Sequence, residues 1–310
     1  MTSPGHNIIV QKLGTMAHLS LDDAMQESGV ILRAANPDSA LIEAIQTRFD
    51  LDALQVKDTL NASHPPHFSK LQQGFHLILR FPAHIDTDHV HELDLTSVSL
   101  LVDERMCALV WPGMRHHFFK DKEISGKGIN DTVVRIIHTL VNRLLHRVHE
   151  LRDEVDNLED ACLEDAERAD LQTLLHLRKG LASLARAAHA NHIALERLSS
   201  KQGYSDNVRL SDAMEHMRRA TALAESKAEH ALIVMQAIQS MVGQRLNEVM
   251  KFLALVTFVL SPLAVISGIF GMNFKEMGVL DYPWGFAATL WGMLAIGIGL
   301  IVFFKNKKWW

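Results

Sequence analysis

The sequence predicts an α+β membrane protein: an N-terminal α/β cytoplasmic domain, a long helical stalk and two C-terminal transmembrane helices. Three observations predict it. Two long apolar runs near the C-terminus carry no charged residue. Prolines are confined to Pro4, Pro37, Pro65, Pro66, Pro82 and Pro112, and then none occurs until Pro262, so the interval favours long helices. The first part instead holds short apolar runs bounded by turn residues, the mark of strands.

The chain has 310 residues, 48% hydrophobic and 22% charged, which excludes a disordered polymer. The net charge of -5 argues against a nucleic-acid partner. Two cysteines, Cys107 and Cys162, make no disulfide framework and fit a reducing compartment. Cys107 lies within an apolar run and reads as a buried thiol rather than a nucleophile. The opening MTSPGHNIIVQKLG lacks a charged segment followed by an apolar one, so no cleaved signal is expected.

Residues 1–125 read as the cytoplasmic α/β domain. GFHLILRF (74–81), SVSLLVD (97–103) and RMCALVW (105–111) are expected strands, and Pro37 to Phe49 an expected helix with Asp38 and Ser39 near its start. Residues 126–204 read as two or more cytoplasmic helices. Within them, 150–170 holds ten acidic residues against Arg152 and Arg168: a solvated face, or a surface that attracts cations. Gly203 punctuates the chain, and Ser205 or Asp206 is expected to cap the next helix.

Residues 205–251 form the stalk and run without a strong breaker into the first span. About 60 residues at ~1.5 Å each give one helix of roughly 90 Å. Phe252–Phe270 (FLALVTFVLSPLAVISGIF) and Trp284–Phe304 (WGFAATLWGMLAIGIGLIVFF) are each long enough to cross a hydrocarbon core. Lys305, Lys307 and Lys308 form a basic ring after the second span, and Arg245 and Lys251 precede the first. Positive flanks stay inside, so both termini are expected in the cytoplasm and the loop 271–283 outside. Trp284, Trp309 and Trp310 suit the aromatic belts. Two spans cannot enclose a water-filled path, so conduction would require several copies around an axis.

Asn247, Met250, Leu253, Thr257, Ser261 and Ala264 recur at threes and fours along the first span and its lead-in, forming one helical stripe. The stripe is polar in places but uncharged. Small and hydroxyl residues also favour close packing between membrane helices, and spacing alone leaves both readings open. A neutral lining suits an ion that keeps its water shell, because Mg²⁺ dehydrates reluctantly. Rings of Met250 and Leu253 would close such a path by dewetting. Eighteen histidines include His64-x-x-His67, His89-x-His91 and His116–His117, but no cysteine pair or HExxH accompanies them, and they read as surface groups. No GxxxxGK[ST] and no catalytic constellation is present, so the chain is not expected to be an enzyme or to need a cofactor.

Gly271-Met272-Asn273 between two C-terminal spans resembles the CorA family of magnesium and cobalt channels. NEVMKFL (247–253), SPLAVISGIFGMNF (261–274) and KNKKWW (305–310) look like family sequence at family spacing. The resemblance is specific over 205–310; the first 200 residues match in layout. It implies a homopentameric funnel in a bacterial inner membrane, with the first spans as an inner ring. Asn273 and the Gly271 carbonyl would then meet a hydrated ion at the outer mouth, with Met272 between them. Asn247, Met250, Leu253, Ser261 and Ala264 match pore positions. Ser261 stands where a Met is familiar and Ala264 where a Thr is familiar, so one polar ring has moved.

Asp212-Ala-Met-Glu215-His216 also resembles a family segment whose Asp joins a regulatory magnesium site between protomers. Asp212 is thus a candidate sensor ligand, with Glu215 nearby. The external loop departs from the magnesium branch: Met277-Gly278-Val279-Leu280 lacks a carboxylate found there. Glu276 and Asp281 are candidate substitutes, opposed by Lys275. The ZntB-like zinc branch lacks that element too. The expectation is a Mg²⁺ channel, with Co²⁺ and Ni²⁺ as further cargo. A Zn²⁺ transporter, proton-coupled or not, is the rival within the family, and a non-conducting membrane-anchored metal sensor or scaffold the rival outside it. The expected partners are further copies of the chain, lipid and divalent cations.

Overall fold

The computed structural model describes residues 8–13, 20–83, 93–112, 126–164, 170–272 and 282–307. The chain forms two compact units, Met1–Met235 and Gln236–Trp310.

The first unit is built on six strands: β1 (Ile8–Lys12), β2 (Val30–Ala35), β3 (His67–Leu71), β4 (Gly74–Pro82), β5 (Leu95–Val102) and β6 (Met106–Trp111). Their order in the sheet is β1-β2-β6-β5-β4-β3. Only β2 and β6 run parallel; the other pairings are antiparallel. Three strands coincide with the expected apolar runs. β1, β2 and β3 escaped sequence reading because they are short or interrupted by polar groups such as Arg33, Ser69 and Lys70. Every residue of β2 and β6 is buried, so both faces of the sheet centre are covered. One face packs Leu32, Ala34, Ala108 and Val110 against Leu41, Ile45 and Phe49.

Those last three residues belong to α2 (Ser39–Phe49), which follows α1 (Leu21–Gln26) and precedes α3 (Ala53–Leu60). Asp38 caps α2 as expected, accepting from the Leu41 N–H at 2.9 Å. Asp52 and Gln55 close a reciprocal capping box on α3.

Three long helices follow: α4 (Ile129–Glu164), α5 (Leu171–Ser199) and α6 (Val208–Phe270). The buried residues of α4 and α5 recur at threes and fours, as in Leu140, Leu144, Val148, Leu151 and Leu177, Leu181, Leu184. Asn191 of α5 is fully buried. Its amide donates to the Arg80 carbonyl and accepts from the Arg80 N–H, each at 2.8 Å. β3 pairs with β4 only as far as Ile78, so this side chain stands in for the missing strand.

The start of α6 corrects the expected cap. Neither Ser205 nor Asp206 serves; Asn207 accepts from the Arg209 and Leu210 N–H groups at 3.1 and 3.2 Å. The reason is the turn before it, where Gly203 takes φ +89° and Tyr204 buries its ring against Phe75. Tyr204 hydrogen-bonds Asn130 at 2.9 Å, and burial raises its phenol pKa. Helix building therefore resumes only beyond the anchored Tyr204.

Two expectations about reactive groups meet opposite outcomes. Cys107 is fully buried, and burial together with the Asp103 charge pushes its thiol up to about 12. His76 is not a surface group: it is 2% exposed near the start of β4. Burial lowers its pKa to about 4, helped by the charges of His64 and His67. His89, His91, His116 and His117 lie outside the described residues.

The second unit holds the remainder of α6 and α7 (Gly285–Asn306). Both helices are long and apolar enough to cross a membrane. Almost none of their apolar stretch is buried within the chain. Such an exposed apolar surface calls for lipid or neighbouring subunits.

Candidate ion path and metal-ligating cluster

Along the membrane part of α6, Leu255, Val256, Val259, Pro262, Leu263, Ile266 and Phe270 are half-buried. Their spacing places them on one face. That face meets α7: Val259 and Leu263 share a cleft with Met293, Gly297 and Ile301, and Phe258 meets Phe304 edge-on at 5.7 Å. A Cβ at Gly297 would make ordinary contact with Leu263 at 3.8 Å, so the two helices approach closely here.

Asn247, Met250, Leu253, Thr257, Ser261 and Ala264 are all exposed. At ~100° per residue they lie about 180° around the helix from the face that meets α7. The structure thus gathers all six expected lining residues on one uncovered stripe. Met250 and Leu253 are 68% and 65% exposed, so packing among the described residues leaves these apolar side chains largely uncovered. Thr257 donates its hydroxyl to the Leu253 carbonyl at 2.9 Å, which leaves the oxygen's lone pairs facing outward.

Gly271 and Met272 end α6 in a turn and are exposed; the Gly271 N–H reaches the Ser267 carbonyl at 2.9 Å. Asn273, Glu276 and Asp281 lie outside the described residues. At the other end of the unit, Lys305 sits in the last turn of α7 and Lys307 follows it, both exposed; Lys308 lies outside the described residues.

On the part of α6 within the first unit, Asp212 is drawn into a cluster that sequence reading named only in part. Its carboxylate lies 3.0 Å from His138 Nε2 and 3.6 Å from His216 Nε2. One ligand atom from each of the three lies within 4.8 Å of the others. Asn142 bridges the pair of rings from behind, 3.1 Å from His138 Nδ1 and 3.2 Å from His216 Nδ1. That is how a protein orients imidazole ligands: a polar partner on one nitrogen aims the other. Glu215 is not part of the cluster. It pairs with Arg218 and Arg219, and the Arg219 hydrogen bond holds its carboxyl below the usual carboxylate range, with Arg218 assisting.

His138 and Asn142 were missed because they sit on α4, seventy or more residues before Asp212. The only signal available was their i, i+4 spacing, which does not say which helix they face.

These elements have counterparts elsewhere. The family described as CorA-like Mg²⁺ transporter protein matches residues 26–307. The cobalt/magnesium transport protein CorA of Thermotoga maritima is 25% identical over 287 residues, 87% of this chain and 80% of that protein. The zinc transport protein ZntB of Yersinia enterocolitica is 24% identical over 181 residues, 57% of this chain and 55% of that one. Among solved structures, the CorA magnesium transporter of Methanocaldococcus jannaschii has the same fold, with a TM-score of 0.79 at 18% identity, covering 98% of each chain.

Proposed function

Because the chain belongs to the CorA-like Mg²⁺ transporter family, we propose that it carries hydrated divalent cations, Mg²⁺ first and Co²⁺ or Ni²⁺ besides, across the bacterial inner membrane into the cytoplasm. Five copies surround the path, α6 forming the inner ring and α7 the outer. Gly271, Met272 and Asn273 form the outer filter, and Asn247, Met250, Leu253, Thr257, Ser261 and Ala264 line the way in. The observation that carries this reading is the exposed stripe of those six residues, opposite the face that meets α7.

The chemistry follows from the lining. With no carboxylate on the stripe, nothing compensates for stripping a divalent ion of water, so the ion passes with its first shell intact. Amide and hydroxyl groups hydrogen-bond that shell, and the Met250 and Leu253 rings exclude water when the path is narrow. Moving two charges through 100 mV yields about 4.6 kcal/mol, so no nucleotide hydrolysis is needed. The cluster of His138, Asp212 and His216 is a cytoplasmic metal sensor in this scheme.

The test is cation uptake into proteoliposomes under an inward-negative potential. Asn273→Ala abolishes Mg²⁺ uptake if the filter is as proposed; an unchanged rate refutes it. Zn²⁺ transport is a second reading, favoured by the loop sequence Gly278-Val279, which lacks the carboxylate of the magnesium branch, and by the likeness to ZntB. Uptake of Zn²⁺ but not Mg²⁺ in the same vesicles selects it. A chain that conducts neither ion is a sensor or scaffold.

A further inference from the structure

A second contact joins α4 to α6 within the first unit, nearer the C-terminal end of α4. Asp156 and Glu159 of α4 face Lys227 and His230 of α6. Lys227 Nζ donates to Asp156 Oδ1 at 2.7 Å, and His230 Nε2 lies 2.7 Å from Glu159 Oε2. One ligand atom each from Asp156, Glu159 and His230 lies within 4.8 Å of the other two, and all three residues are half-buried. These two carboxylates belong to the acidic run 150–170, yet they do not sit on its solvated face; they turn toward a neighbouring helix.

We propose that Asp156, Glu159 and His230 form a binding site for a borderline divalent ion, Zn²⁺ or Co²⁺, that clasps α4 to α6 within one chain. An imidazole with two carboxylates is a donor set for such ions, whereas Mg²⁺ prefers oxygen ligands and its own waters. Tetrahedral ligands about 2 Å from a zinc ion stand about 3.3 Å apart. The three atoms, all within 4.8 Å of one another, would close on the ion by side-chain adjustment. Water takes the fourth position.

Lys227 gives the site its distinctive property. Its ammonium already neutralises Asp156, so an entering ion must displace it. The site is thus weakened by design against stray cations and filled only by one that also gains the imidazole. A purely structural ion-pair network between the two helices would show no such competition. Binding is read without reference to transport, so failure here and failure of the transport reading are separate results.

The experiment uses full-length protein in detergent, stripped with a chelator and titrated with Zn²⁺ against a chromophoric zinc indicator in millimolar Mg²⁺. The Glu159→Gln, His230→Ala double variant loses about one tightly held Zn²⁺ per chain. Asp212→Asn retains that ion, because the cluster at Asp212 is separate. Lys227→Met binds it more tightly, by on the order of tenfold. Zn²⁺ raises the thermal midpoint of the wild-type chain but not of the double variant. Glu159→Gln alone, which keeps the side chain's shape, repeats the comparison should the double variant not assemble. An unchanged Zn²⁺ count in the double variant, or no tightening in Lys227→Met, overturns the proposal.

Discussion

His76 and Asn191 show what single side chains do in this fold. His76 is neutral in the folded chain with a pKa of about 4, against 6.5 for an ordinary imidazole, because burial penalises its charge. Between those values the unfolded chain binds more protons than the folded one. Stability therefore rises with pH through this window, and acidification from pH 6.5 to 4 costs about 3 kcal/mol. His76→Leu should flatten the slope of thermal midpoint against pH between 4.5 and 6.5; a slope unchanged from wild type would refute the assignment. Asn191→Leu strands the N–H and carbonyl of Arg80 at the edge left open by β3. The loss should be about 2–4 kcal/mol, measured as a lowered denaturation midpoint. Neither role was legible in the sequence. Asp38 and Cys107 were, because a cap is decided within three residues and a thiol inside an apolar run is buried by its neighbours. Asn191 and His138 act on partners at least seventy residues away, and a single chain's spacing carries no trace of such pairings.

At the scale of elements, long periodic helices read most clearly. α6 was legible from a composition free of proline up to Pro262 and α7 from an uncharged apolar run, since length and hydropathy are sums over many residues. Short polar strands such as β3 offer too few residues for a period to emerge. The expected lining stripe was legible as a pattern, and the structure adds that α7 packs on the opposite side of α6. Gly243 lies inside α6 with open space around it: a Cβ built there meets nothing within 4 Å. Glycine in a helix interior costs about 0.5–1 kcal/mol relative to alanine. Gly243→Ala should thus stabilise the helix by up to about that amount, visible as a raised thermal midpoint, whereas a lowered midpoint would show that the position needs its freedom or contacts a neighbouring subunit.

At the scale of the whole molecule, one helix carries both the cluster at Asp212 and the stripe from Asn247 to Ala264. An insertion between the two therefore changes their register along that helix. Adding one alanine between Gln236 and Gln244 would turn everything beyond it by about 100° and advance it ~1.5 Å. In the proposed pentamer, two added residues would swing the stripe from the axis toward lipid; seven, close to two full turns, would return it almost to its original azimuth. Uptake across such a series should oscillate with the helical repeat, collapsing at two and recovering at seven. A steady decline with length instead would mean that the two ends are timed by something other than the rod between them.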